Sequence, residues 1–172
     1  MGITFHPNGK IEGLNNSNFR ESMPSGSVLQ VKTDTLDRNS LDLVETAGQQ
    51  LGSDLEVSIT FSSTSNIYVV SCFLPDIWGH STTGRALHGG FAYSTDNFSS
   101  SELLNVHPIS DYMGYAGGNE ADLDEANWST SGNCPSTSPI KIRPRLQCVS
   151  GPVRIFANSM GVALLTVMEI KA

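Results

Sequence analysis

Leu55, Val57 and Ile59 alternate with Glu56, Ser58 and Thr60. That two-residue period puts the apolar side chains on one face of a half-buried strand. A polar turn, Ser62-Ser63-Thr64-Ser65-Asn66, separates it from Ile67 to Leu74, a nearly continuous apolar run rich in β-branched and aromatic residues. Such a run predicts a central strand, and the two segments together predict a hairpin. Val28 to Thr33, Leu41 to Glu45, Leu87 to Tyr93, Ile140 to Val149 (broken at Pro144) and Val153 to Ala157 add further short strands. Val162 to Ile170 is apolar on both of its faces, so it is either buried on both sides or pairs across a subunit contact. Gly89-Gly90 suggests a bulge or a close backbone approach.

About seven to nine short strands between Gly, Pro and Asn turns predict an all-β fold, an antiparallel β-sandwich of jelly-roll type. The domain occupies residues 23–172 and carries a short N-terminal extension, residues 1–22. There Ile3, Phe5, Ile11, Leu14 and Phe19 stand isolated among turn residues. Asn8-Gly9 is a hairpin signal, and so small a hairpin cannot be stable alone. Its apolar residues must dock on this domain or on a neighbour. From Asp96 to Ser138 the pattern fades into a long connection; Glu120 to Trp128 is its best, short, helical candidate.

Only 16% of residues are charged, while Ser, Thr, Asn and Gly abound, which suits sheets and polar loops better than helices. A net charge of −7 argues against nucleic acid, because phosphate contacts need clustered Lys and Arg. The basic cluster Lys141, Arg143 and Arg145 alternates along a strand and reads as a solvated face balancing nearby acids. No apolar run approaches the ~18 residues of a membrane helix, and the start Met1-Gly2-Ile3 has no signal-peptide pattern. Cys72, Cys134 and Cys148 show no metal spacing. Cys72 and Cys148 read as buried thiols, with a bridge between them as the alternative.

Three segments carry a family resemblance: Met23-Pro24-Ser25-Gly26-Ser27-Val28-Leu29-Gln30-Val31, the stretch Leu55 to Val70 with Val57-Ser58-Ile59-Thr60, and the ending Met168-Glu169-Ile170. In this order they resemble small virion proteins of tailed bacteriophages, many described as tail-fibre or structural proteins of phages of cyanobacteria and other aquatic bacteria. The chain departs from that pattern at Phe61 and Asn66, where Pro or Lys is common, and residues 75 to 150 match none of it. The resemblance implies a structural protein of the virion, assembled in the host cytoplasm. Its role would be a tail-fibre or appendage subunit, a homotrimer that contacts the host surface and attaches to other virion proteins through Ile3, Phe5, Ile11, Leu14 and Phe19. A capsid decoration protein is the alternative, and a carbohydrate-binding, lectin-like domain the second.

No cofactor is implied and no catalytic motif is present, so an enzyme is not expected. Trp78, Tyr93, Tyr112, Tyr115 and Trp128 fall in or beside Gly/Ser/Asn-rich segments. There they would either stack on the sugar rings of a host glycan or pack the loops onto the sandwich. Glu120, Asp122 and Asp124 form a weak calcium candidate without the order of an EF-hand loop. A solvated acidic loop is the other reading.

Overall fold

The computed structural model describes the backbone of residues 4–5, 11–12, 20, 23–37, 41–43, 49–50, 54–79, 85–104, 111–116, 122–148, 153–155 and 161–172. Side chains are described for 20, 23–36, 54–75, 89–101, 103–104, 126–146 and 161–172. The strands, in chain order, are β1 (Thr4–Phe5), β2 (Ile11–Glu12), β3 (Val28–Asp37), β4 (Leu41–Leu43), β5 (Gln49–Gln50), β6 (Val57–Ile59) and β7 (Ile67–Gly79). There follow β8 (Arg85–Ser94), β9 (Glu102–Leu103), β10 (Asp111–Ala116), β11 (Asp122–Asn133), β12 (Ile140–Cys148), β13 (Val153–Ile155) and β14 (Val162–Ile170).

β7 is the spine of the first sheet. β11 pairs along one side of it, from Ile67↔Asn133 to Trp78↔Asp122. Along the other side run β14 and, past its end, β13, with β4 outside β13. β3 lies beyond β14 and forms that edge. In the second sheet β8 and β12 are the central pair. β10 and β9 flank β8, while β5 and β6 flank β12.

If β5 and β6 are counted as one broken strand, the nested pairs are β3·β14, β6·β12, β7·β11 and β8·β10, all antiparallel. A long antiparallel ribbon rolled up on itself gives this nesting, first with last and innermost with innermost. It is the double Greek key of a jelly roll.

The apolar alternation faces one shared core. β14 buries Ala163, Leu165 and Val167 completely, and the second sheet supplies Ile140, Ile142 and Leu146. Pro144 lies within β12, but pairing on the β5/β6 side passes from Ile142 to Arg145. The break coincides with the residue that has no N–H to offer.

Three expectations need correction. β6 and β7 are not a hairpin: β6 pairs with β12 in one sheet, and β7 pairs with β14 and β11 in the other. Alternation fixes which face of a strand is buried, and Val57 and Val70 meet the same core from opposite sides. The Glu120–Trp128 helix is also absent over its described part, since Asp122 to Asn133 is strand, with Ala126 and Trp128 inward and Asn127 and Ser129 outward. The long connection is likewise crossed by β9, β10 and β11. At the N-terminus Phe5 pairs with Ile11 and Thr4 with Glu12, closing the expected small hairpin around a connection that contains Asn8-Gly9.

Candidate functional site

The three segments of the family resemblance converge at one end of the sandwich. Pro24-Ser25-Gly26-Ser27 is a turn closed by Ser27 N–H donating to the Pro24 carbonyl, with Gly26 at φ +86°, the region its third position requires. Gly26 N–H donates to the Lys171 carbonyl (2.8 Å) and Lys171 N–H to the Ser27 carbonyl (2.9 Å), which ties this turn to the chain end.

Between them Glu169, fully buried, points into the sandwich. Its Oε1 accepts from Ser62 N–H (2.8 Å), Ser62 Oγ (2.6 Å) and Asn66 Nδ2 (2.7 Å). Its Oε2 accepts from Gln30 Nε2 (2.6 Å), which also donates to the Thr60 carbonyl. Burial by itself would raise this carboxyl's pKa. The hydrogen bonds from Ser62, Asn66 and Gln30 outweigh it and hold the group below the usual carboxylate range. The knot clamps β3, the β6–β7 connection and β14 together. Nearby Cys134 is also buried, and burial together with the Glu169 carboxylate pushes its thiol up to about 12.

On the opposite face of the same strands the chemistry changes. Register places Val31, Met168, Val69 and Ser131 in one row across β3, β14, β7 and β11. The next row is Thr33, Thr166, Ser71 and Ser129, and the next Thr35, Leu164, Phe73 and Asn127. A row of Val28, Ile170, Ile67 and Asn133 lies at the other end. None of these positions carries a charge. Val28 and Val31 are about half exposed, at 48% and 50%, while Val162, Leu164 and Ile67 are also exposed. The Thr33, Thr166, Ser71 and Ser129 row divides the apolar positions, so the face is uncharged and part-apolar. Of the two readings of β14, burial on both sides fails within the chain, because Val162 and Leu164 are exposed.

The basic strand face balances an acid as expected, but at Arg143 it is largely buried and not solvated. Ile140, Ile142 and Leu146 point inward, whereas Lys141 and Arg143 turn to the acids. Glu56 takes both: Lys141 Nζ at 2.8 Å on Oε1, and Arg143 Nε and Nη2 at 2.8 and 2.6 Å on Oε2. Burial would raise Glu56, but these two cations lower it overall. The Arg143 guanidinium lies 4.0 Å over the Phe98 ring. Phe98 and Asn97 both have positive φ, 64° and 60°, in the turn after β8. That turn is held by Asp96, which accepts from Ser100 and Ser94, and those bonds bring its carboxyl down to about 2.

Of the proposed sugar-contacting aromatics, the side chains of Trp128 and Tyr93 are described. Trp128 is buried between the sheets, stacked on Phe91 at 5.7 Å, with Nε1 donating to the Gly90 carbonyl at 3.2 Å. Its environment is that of the packing alternative. Tyr93 is half buried against the core. Trp78 pairs in register with Asp122 on the first sheet, and Tyr112 and Tyr115 pair with His88 and Ala86 on the second. The side chains of these three aromatics lie outside the described residues.

Of the calcium candidates, Asp122 and Asp124 are on strand β11 instead of a loop, and Glu120 lies outside the described residues. Among the described residues no three His, Cys, Asp or Glu side chains cluster for a metal. Cys72 is a free, buried thiol whose pKa burial pushes up, so it does not bridge Cys148. Of the attachment residues, Phe5 and Ile11 form the small hairpin, while Ile3, Leu14 and Phe19 lie outside the described residues. No helix among the described residues is long and apolar enough to cross a membrane.

No family model and no curated protein matches the chain. Among the solved structures that are distantly similar are two of one virus. One is of infectious bursal disease virus, Gx strain, at 13% identity and TM-score 0.34, covering 86% of this chain and 37% of that one. The other is a mutant VP2 protein of the same virus in derived T=1 particles, at 13% identity and TM-score 0.28, covering 99% and 44%. The chain thus spans less than half the length of either. The fold assignment rests on the strand nesting described above, not on these likenesses.

Proposed function

We propose that the chain is a structural subunit of a virus particle, a jelly-roll building block that acts by binding other protein surfaces. The observation that carries this reading is the uncharged, part-apolar outer face of the first sheet, on a fold whose recurrent uses include capsid and lectin domains. A chain of net charge −7 with such a face is suited to assembly, since desolvating that face strips water from no ion.

Within this reading the sequence resemblance favours a tail-fibre or appendage subunit that contacts the host surface, attached through residues 1–22 and assembled as a homotrimer. A capsid decoration protein is the second placement. The lectin reading loses Trp128 as a sugar platform, because that ring is buried.

The test is immunogold electron microscopy and mass spectrometry of particles from a host expressing the chain's own phage. Label on tail tips supports the fibre role, and label on the head supports decoration. A chain absent from purified particles overturns the virion reading. Light scattering decides the trimer by a mass near three times 18.5 kDa.

A further inference from the structure

We propose that the outer face of the first sheet pairs with the same face of a second copy of this chain, about a two-fold axis that crosses the strands along the Thr166–Ser71 row. Its biological meaning rests on the assembly reading above; the contact itself is argued from the face.

The rows are symmetric about that line. On β14, Thr166 stands between Met168 and Leu164, with Ile170 and Val162 beyond. On β7, Ser71 stands between Val69 and Phe73. A two-fold axis lying across the strands therefore sets Met168 over Leu164 and Val69 over Phe73, while hydroxyl meets hydroxyl along the axis. On β3, Thr33 meets Thr33, and Val31 meets Thr35. Each apolar row of the two central strands finds an apolar row, which an isologous contact requires of one surface.

Charge points to the same partner. The three rows that the axis maps onto one another, those of Thr166, Met168 and Leu164, carry no charged residue, so two acidic copies meet there without setting charge against charge. Acidic positions begin one row further, at Asp37 on β3 and Glu125 on β11. The axis sets those register positions opposite Val28 and Asn133, so like charges do not meet. Aligned sheets pack with a rotation of about 30°, which preserves this correspondence best at the centre of the face. Four strands by these three rows cover on the order of 400 Å² of sheet plane. That is below the ~800 Å² per partner of a standard interface, so the association is concentration-dependent.

Light scattering across a concentration series tests it, with the full chain and Leu164→Glu. Leu164 is exposed, so a carboxylate there charges the face without entering the core. The expected result is an even multiple of 18.5 kDa at high concentration and a twofold lower mass for the variant, with unchanged circular dichroism. A wild-type chain that stays monomeric or purely trimeric, or a folded variant of undiminished mass, overturns the proposal. Should the variant misfold, Thr166→Cys decides. On the axis it should be joined to its own counterpart by a short bis-maleimide, well above the wild-type background, and failure to link counts against the contact. Particles lacking the chain would sink the virion reading and leave an even, Leu164-sensitive mass standing. Particles containing it, with an insensitive mass, would do the reverse.

Discussion

Asn66 and Glu169 are 103 positions apart in the chain and share a 2.7 Å hydrogen bond in the interior, Nδ2 donating to Oε1. Asn66 also accepts the Cys134 N–H at its carbonyl (2.8 Å) and the Ala172 N–H at Oδ1 (3.3 Å). One asparagine, through its side-chain amide and its backbone carbonyl, thus gathers the β6–β7 connection, the residue after β11 and the chain terminus around a single carboxylate.

Because the folded pKa of Glu169 lies below its ordinary 4.5, its contribution to stability is present above about pH 4.5 and is lost as pH falls through the folded value. Glu56 is shifted in the same direction, so the wild type loses stability on acidification through both. Glu169→Gln keeps one acceptor oxygen and turns an N–H₂ toward a donor. It should cost about 1–3 kcal/mol at neutral pH and flatten the acid limb. Urea unfolding at pH 7 and about pH 3 measures both; equal pH slopes for variant and wild type would refute the assignment.

Adjacent residues on β14 should separate fold from surface. Leu165 is fully buried and Leu164 is 38% exposed. Leu165→Ala should destabilise by about 2–5 kcal/mol, and Leu164→Ala by under ~0.5 kcal/mol in dilute solution. Denaturant midpoints at low protein concentration check this. Comparable losses would mean that the outer side is covered within the chain itself.

Lys141 and Arg143 share Glu56 but not its surroundings. Arg143 is 12% exposed and stacked on Phe98, whereas Lys141 is 37% exposed. Lys141→Ala should cost under ~1 kcal/mol and fade with added salt. Arg143→Ala should cost more, because it removes two charged N–H donors from Glu56 Oε2 and uncovers Phe98. Melting curves in low and high salt give both numbers, and a reversed order would refute the geometry.

The strands were legible wherever one face is apolar. Val162 to Ile170 is observed with the expected bounds. β11 was not legible, because Ala126 and Trp128 are its described inward anchors while Ser, Asn and Thr fill the outer side. The pairing of β6 and β7 was not legible, because period two names a face and not a partner. The knot was half visible. Gln30, Ser62, Asn66 and Glu169 all sit in the segments that carry the family resemblance, yet local pattern gives no sign that a strand glutamate points inward. Only pairing of distant segments buries it.

Trp128 fills the space between β11 and β8, with its ring on Phe91 and its N–H on the Gly90 carbonyl. Trp128→Ala should therefore cost about 3–5 kcal/mol. Loss of glycan binding in that variant would report unfolding, not a lost sugar contact. Thermal melting should accompany any glycan assay, and a variant that melts like the wild type would return Trp128 to the surface.

Gly161 precedes β14 at φ +100°, and a Cβ there would sit 2.6 Å from Pro75 Cβ and 2.7 Å from Pro75 Cγ. Both problems act together. The backbone angle is one that L side chains rarely adopt, and the ring facing it belongs to the central strand β7 and cannot swing aside. Gly161→Ala should lose at least about 2 kcal/mol from strain and overpacking combined. In a domain of this size that is a melting shift of roughly 4–8 °C. Gly26, with φ +86° but nothing within 4 Å of its missing Cβ, isolates the backbone component, so Gly26→Ala should shift the melt by less. If the two substitutions cost the same, the Pro75 contact contributes nothing, and the packing of β14's start against β7 is not as described.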